Sequence, residues 1–143
     1  MVTPHFEIQR QYVKDMSYES FIGPALFTAT WAPGIEVDVA SRDTALGEED
    51  RYEVELIVTV KVSLNDKPAY LIEVTQAGIF QIRGFTQDEL SQTLGIMCPT
   101  FLYPYAREAV DNIATKAGAI PVGLQPIDFE SMYLDKQAAG KVA

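Results

Sequence analysis

The chain has 143 residues, and its 11 Lys and Arg against 20 Asp and Glu give it a formal charge of −9. Hydrophobic residues make up 48% of it, which is typical of a globular protein with a buried core and not of a disordered chain. So acidic a chain repels phosphate backbones and anionic lipids, which argues against binding to nucleic acid or to a membrane surface. The single Cys and single His exclude an internal disulfide and a zinc site built from Cys and His.

The sequence also shows no sign of export or membrane insertion. The start, residues 1–5, lacks the basic region and long apolar run of a signal peptide. No segment approaches the roughly 18 apolar residues that a spanning helix needs. We therefore expect one soluble domain over residues 1–143, located in the cytoplasm, with no direct membrane insertion.

Four segments of the first half show the period-two pattern of strands: 5–19, 35–39, 52–64 and 69–82. In the first, the side chains of Phe6, Ile8, Tyr12, Met16 and Tyr18 are expected on one face. Short turns at 47–50 and 65–68 join the later strands. Consecutive strands joined by short turns favour an antiparallel sheet.

Two loops are unusually apolar. Residues 20–34 contain two glycines and two prolines, too many for a regular element, but they also contain Phe27 and Trp31. Residues 119–127 are similar and contain Ile120 and Leu124. Loops that fold back to cap the core explain this pattern as well as a binding groove does.

The second half changes to the helical period. Thr86 and Glu89 predict a capping box and a helix over about 87–95. A long helix follows from Cys98 to Gly118, and Pro104 is expected to kink or interrupt its first part. Asp128 is expected to cap a last helix that runs to about Ala139 and ends at Gly140. Strands followed by helices predict an α+β fold.

No catalytic constellation is present, so the sequence predicts a protein that is not an enzyme and needs no cofactor. His5 is expected to be frayed and solvated. Cys98 is expected to be buried and inert, because no second Cys or base accompanies it. Arg107 and Glu108 are expected to form a solvated or interface charge pair.

One group of polar positions lies on the solvent side of the predicted sheet. Asp15 and Glu19 fall on the wet face of the first strand. Leu71 and Glu73 have the opposite parity to the more buried Tyr70 and Ile72. This pattern favours an ordinary solvated acidic face with one surface Leu, and a docking patch for a basic partner is the alternative.

The sequence resembles the SecB family of bacterial export chaperones over about residues 6–135. The similar stretches are 6–10, 14–19, 52–54, 78–80, 94–95, Cys98-Pro99, Phe101 to Glu108 (Phe-Leu-Tyr-Pro-Tyr-Ala-Arg-Glu) and 126–129. The tail 136–143 departs from the family pattern because it carries lysines, so no partner contact is assigned to it.

The resemblance implies a four-stranded antiparallel sheet packed with a long helix and a C-terminal helix, assembled as a dimer of dimers. The apolar stripe on the long helix is wider than one sheet face needs, which favours contact with a second copy. The residues expected at this homotetramer interface are Phe101, Tyr105, Ala109 and Ile113.

The resemblance further implies a holdase that binds unfolded preproteins and delivers them to SecA, the motor of translocation. The client groove would contain Phe27, Trp31, Ile35, Val37, Val39, Leu124 and Phe129. The contact with SecA would contain Asp15, Glu19, Leu71 and Glu73. SecA would bind through a basic tail that holds zinc, and the zinc belongs to the partner, so this chain needs no metal.

Two other functions fit the residues. SecB-like chaperones also serve a single client such as an antitoxin, without coupling to SecA. A small-ligand carrier or an enzyme that uses the apolar loops as a pocket is the alternative of a different class.

Overall fold

The computed structural model describes the backbone of residues 3–142 and the side chains through residue 139. Met1, Val2 and Ala143, at the two ends considered above, lie outside the described residues. The strands are β1 (His5–Ser20), β2 (Gly34–Ala45), β3 (Arg51–Leu64) and β4 (Lys67–Arg83). The helices are α1 (Gln87–Gln92), α2 (Cys98–Lys116) and α3 (Phe129–Val142), so the α+β prediction is confirmed.

The strands form one antiparallel sheet in the order β1-β4-β3-β2. β3 and β4 are joined by a tight turn at Asn65 and Asp66, whose φ angles of 53° and 61° are the left-handed values that a two-residue hairpin requires. β1 and β2 are therefore the two edges of the sheet, and β3 and β4 form its centre.

The helices cover one face of the sheet, which we call the inner face. Its core comes from alternate residues of β3 and β4 packed against α2, and these include Val58, Val60, Ile72, Val74, Leu102 and Val110. Gly78 of β4 allows the close approach of α2, because a Cβ there would lie 3.2 Å from a methyl group of Leu102. Alternation in the sequence thus becomes an inner face that is dry along the central strands β3 and β4 and an outer face that is largely polar.

The prediction for Tyr12 is wrong. The pairing of β1 with β4 shifts register twice, at Gln9 and at Lys14, and each extra residue turns the following side chains to the opposite face. Phe6, Met16 and Tyr18 therefore lie on the inner face, whereas Tyr12 lies on the outer face opposite Ala77. The second bulge reverses the change of face that the first one causes, so the period-two pattern of the sequence does not reveal either bulge.

Several boundaries differ from the predictions. β2 is longer than 35–39, and the apolar loop 20–34 contains a 3₁₀ helix, Gly23–Phe27. α1 continues through a π-helical segment, Thr93–Met97, directly into α2. Pro104 lies inside α2 without interrupting it, and α3 runs past Gly140 to Val142. Asp128 does cap α3, because its carboxylate accepts from the backbone N–H of Ser131 at 3.1 Å.

α3 packs on the π-helical segment. The ring of Tyr133 covers Gly95, where a Cβ would lie 2.6 Å from it, and the hydroxyl groups of Tyr133 and Ser91 are 2.8 Å apart. Phe129, at the first turn of α3, is buried in the core beside Tyr103. These contacts fix α3 next to the loop 119–128, which forms part of the site described below.

Candidate functional site

A cleft of about 550 Å³ runs between the edge strand β2 and the loop before α3. Ile35, Val37 and Val39 form its strand side, and they are consecutive inner-face residues of β2. Ile35 and Val37 are 44% and 38% exposed, which is unusual for aliphatic side chains on the covered face of a sheet. The opposite side consists of loop residues 122–127 and Met132 of α3.

Two side chains of α2 hold this loop in place. The Asp111 carboxylate accepts from the backbone N–H groups of Val122 and Gly123, at 3.1 and 3.2 Å. The Tyr103 hydroxyl donates to the carbonyl of Gln125. Leu124, between these anchors, is only 7% exposed and joins the core. The cleft is therefore an open apolar surface with a fixed wall.

The structure brings some of the predicted groove residues together and separates others. Ile35, Val37, Val39 and Leu124 line the cleft. Phe129 is 5% exposed and belongs to the core beneath it. Trp31 is half-buried and packs against the core, and it does not line the cleft.

Phe27 lies elsewhere, at the end of the 3₁₀ helix. Its side chain is 63% exposed, and its ring covers Gly118, where a Cβ would lie 2.8 Å from a ring carbon. Phe27 thus connects the loop 20–34 to the end of α2. It contributes an exposed aromatic side chain to this side of the molecule and not to the cleft itself.

The predicted partner patch assembles on the outer face. Glu19 of β1 lies opposite Leu71 of β4, Glu73 lies one row further along, and Asp15 lies in the next row. Asp15 and Glu19 are exposed, and Leu71 and Glu73 are half-buried. Between residues 3 and 139 none of the three carboxylates takes part in a salt bridge, and Glu73 accepts a hydrogen bond from the Thr59 hydroxyl at 3.2 Å.

The other half of the outer face has a network of paired charges, which we call the charge clasp: Tyr12, Lys14, Arg42, Glu53 and Glu55. Lys14 Nζ lies 2.9 Å from a carboxylate oxygen of each glutamate, and the Tyr12 hydroxyl donates to Glu53. Arg42 of β2 binds Glu55 through two nitrogens, one at 3.1 Å. β4 lies between β1 and β3 and has only the small side chain of Ala77 at this position, so side chains of β1 reach across β4 to β3.

The clasp strongly perturbs the acidities of its members. Hydrogen bonds from Arg42 and then Lys14 lower the pKa of Glu55 to about 2, although burial opposes this shift. Hydrogen bonds from Tyr12 and Lys14 lower the pKa of Glu53. Burial and the neighbouring Glu53 raise the pKa of Tyr12 to about 12. Both glutamates are thus ionised at neutral pH while Tyr12 stays protonated, and Glu55 is only 3% exposed although it lies on the polar face.

The four predicted interface residues on α2 fall into two groups. Phe101 and Tyr105 are 45% and 51% exposed, and the Phe101 ring lies 5.9 Å from that of Phe6 on β1. Ala109 and Ile113 are each 5% exposed, because the last part of α2 turns them towards the sheet. Other uncovered apolar side chains are those of Val13 and Met16 on the inner side of β1 and of Met97 before α2.

The surroundings of Cys98, His5 and Arg107 indicate structural roles for these three residues. Cys98 is fully buried, and burial raises the pKa of its thiol to about 12, which leaves it protonated. His5 is not frayed as predicted: it begins β1 opposite Arg83, and its Nε2 lies 3.3 Å from the Glu7 carboxylate. Arg107 lies over the Tyr103 ring at 5.9 Å and makes no salt bridge with Glu108 within the described residues.

The part of the chain that the structure describes contains no group of three or more His, Cys, Asp or Glu arranged to hold a metal ion. Nor does any helix within residues 3–142 have both the length and the apolar character to cross a bilayer.

Sequence reasoning missed the residues that build the cleft wall. Asp111 and Tyr103 lie on α2, and the loop residues that they hold, Val122 and Gln125, follow them by 11 and 22 residues. Met132, which lines the cleft, resembles any apolar helix residue. A polar Asp within a largely apolar helix was the one available signal for Asp111, but it does not indicate which loop it anchors.

The family model described as "Preprotein translocase subunit SecB" matches residues 1–140. The protein-export protein SecB of Methylococcus capsulatus is 46% identical over 92% of this chain and 84% of its own length. That of Hahella chejuensis is 41% identical over 92% and 82%, and that of Thiobacillus denitrificans is 41% identical over 95% and 89%.

Among solved structures, the fold is similar to a SecB-like chaperone of Mycobacterium tuberculosis in complex with a peptide from an antitoxin. The TM-score is 0.71 at 15% identity, over 85% of this chain and 90% of that one. The family model matches almost the entire chain, and named relatives exceed 40% identity over nine-tenths of it. The chain therefore belongs to the SecB family of protein-export chaperones, a family of binding proteins and not of enzymes.

Proposed function

We propose that this protein is a holdase that captures unfolded preproteins in the cleft beside β2. The observation that carries the proposal is the row of exposed Ile35 and Val37 and half-buried Val39 that faces a fixed loop. A folded protein gains nothing from leaving aliphatic side chains in water along an edge strand, so this row favours contact with another polypeptide.

The chemistry of the cleft suits clients that share no sequence. Desolvation of apolar side chains is non-directional, so the cleft accepts any apolar segment in any register. Each aliphatic or aromatic side chain that is fully buried contributes roughly 1.5–3 kcal/mol, and several weak contacts along one chain add through avidity. This mode of binding requires neither nucleotide nor cofactor.

We further propose that the outer-face patch of Asp15, Glu19, Leu71 and Glu73 binds the basic tail of SecA. The support is that the carboxylates make no salt bridge within the described residues and share the outer face with a half-buried leucine. The chain's charge of −9 attracts a basic segment at long range, and this attraction weakens as the salt concentration rises. The patch and the cleft lie on different faces, so a client and SecA can be bound together.

The proposed assembly is a dimer of dimers that acts in the cytoplasm, where preproteins are still unfolded. It is supported by the uncovered apolar side chains Val13, Met16, Met97, Phe101 and Tyr105 on β1 and around α2. Burying these apolar side chains against a second copy removes them from water. Ala109 and Ile113 have little surface left to contribute.

The experiment that tests holdase function uses Val37→Asp, which places a charge in the cleft. Capture of a chemically unfolded preprotein is measured by suppression of its aggregation and by fluorescence anisotropy. We expect an affinity at least about tenfold weaker, because a charge on the cleft wall must be desolvated when a client binds. Leu46→Asp is the matched control: Leu46 is 40% exposed and lies outside the cleft. Equal losses in both variants would contradict the proposal.

A further inference from the structure

A second cavity, of about 530 Å³, opens at the end of the sheet where β3 turns into β4 and β2 begins. Its apolar surface includes Phe21, Ile35, Pro68 and Leu71, and Phe21 is 49% exposed. Its volume lies within the range of about 300–1,000 Å³ that is usual for ligand sites. It shares only Ile35 with the cleft beside β2, and no residue of α2 lines it.

This cavity is continuous with the outer-face patch. Leu71 belongs to both. In the same row of the sheet, Glu19 lies opposite Leu71, Leu71 lies opposite Lys61, and Lys61 lies opposite Glu36. Lys61 and Glu36 line the cavity, as does Asp66 at the β3–β4 turn.

The charges around the cavity indicate what it accepts. The carboxylates of Glu36 and Asp66 extend the acidic character of the patch, so a basic segment is still favoured nearby. Lys61 lies beside Leu71 and repels a basic side chain at that one position. An uncharged apolar side chain avoids this repulsion and is desolvated by Phe21, Pro68 and Leu71.

We infer that this cavity is an anchor site for an apolar side chain of the same basic partner that binds the patch. The partner's cationic side chains contact Asp15, Glu19 and Glu73, and an apolar residue next to them enters the cavity beside Leu71. The inference rests on the proposed function, since it adds an anchor to that docking surface. It predicts a footprint that crosses the sheet from β1 to β2.

The test uses Phe21→Ala, which removes one wall of the cavity. Ile35 is unsuitable because it lines both cavities. Ile120→Ala is the matched control, since Ile120 is 53% exposed and lines neither cavity. The probe is the purified basic tail of SecA, and its dissociation constant is measured calorimetrically at several salt concentrations.

We expect Phe21→Ala to weaken binding about five- to tenfold with the salt dependence unchanged, because the lost contact is apolar. Phe21→Leu should restore most of the affinity. Thermal unfolding of each variant, together with Ile120→Ala at wild-type affinity, separates this loss from a folding defect.

The other outcomes identify what fails. If Phe21→Ala binds as well as Ile120→Ala while Glu73→Lys abolishes binding, the anchor is wrong and the patch stands. If Phe21→Ala weakens capture of an unfolded preprotein and not of the SecA tail, the cavity belongs to the client site and the inference is overturned. If Glu73→Lys also binds normally, the proposed docking of SecA fails together with the anchor.

Discussion

The two halves of the outer sheet face differ in what their carboxylates do. In the charge clasp, Glu53 and Glu55 are enclosed by Lys14, Arg42 and Tyr12 and hold three strands together. In the patch, Asp15, Glu19 and Glu73 lie on the same face without a salt bridge among the described residues. Acidic residues on one face of the sheet thus have two different roles.

This contrast shows that the position of the cations matters more than the number of acids. Lys14 and Asp15 are adjacent in sequence, but the bulge at Lys14 lets its ammonium group reach Glu53 and Glu55 across Ala77. The bulge also returns Asp15 to the outer face, in the row next to that of Glu73. One irregularity in β1 therefore separates a stabilising half of the face from a half that remains free for a partner.

The largest expected effect comes from reversing the free carboxylates. Asp15→Lys together with Glu73→Lys should weaken binding of the SecA tail by about a thousandfold, because two attractions become repulsions. Capture of an unfolded preprotein should be unchanged. Affinity is measured by calorimetry for both ligands.

The matched control for that variant is Glu48→Lys together with Asp135→Lys, which changes the net charge equally at exposed positions outside the patch. Its affinity for the SecA tail should fall only by the modest contribution of long-range electrostatic attraction. Similar losses in the two double variants would mean that overall charge, and not the patch, attracts the partner.

The clasp should respond in the opposite way. Glu55→Gln should lower the free energy of unfolding by about 3 kcal/mol, since a pKa lowered from 4.5 to about 2 corresponds to that preference for the ionised form. Binding of the SecA tail should change less than about twofold. Urea denaturation at fixed protein concentration measures the change in stability, and Glu130→Gln, at an exposed carboxylate outside the clasp and both cavities, is the control. Normal stability in Glu55→Gln would contradict the clasp.

The pH dependence gives the smallest and most specific effect. The pKa of Glu55 is lower in the folded state than in the unfolded state, so its contribution is complete above about pH 5 and is lost as the pH falls towards 2. The stability difference between wild type and Glu55→Gln should therefore be constant from pH 6 to 8 and shrink below pH 5. A difference that grows as the pH falls would have the wrong sign.

The sequence predicted the order of the elements because period and turn residues determine them locally. The Thr86–Glu89 capping box, the Asn65–Asp66 turn and the Asp128 cap are all present. It failed at Tyr12, because the two bulges in β1 depend on how β4 pairs with it. The predicted interruption at Pro104 does not occur, because packing against the sheet retains the helix where a proline alone predicts a break.

The cleft was predictable in part, because the alternation of residues along a strand is also a local pattern. Alternation was enough to group Ile35, Val37 and Val39, which do line one cleft. Trp31 and Phe27 lie in a loop whose path depends on contacts such as Phe27 with Gly118, which no local pattern encodes. The loop wall held by Asp111 depends on tertiary hydrogen bonds, so only the structure reveals it.

Native mass spectrometry with and without an unfolded preprotein tests the central claim most directly. If exposed apolar side chains on β2 and α2 serve other chains, the free protein should have the mass of four chains, and the mixture should add one preprotein to those four. A protein that has the mass of one chain, both alone and in the presence of the unfolded preprotein, would contradict both the proposed assembly and the proposed capture.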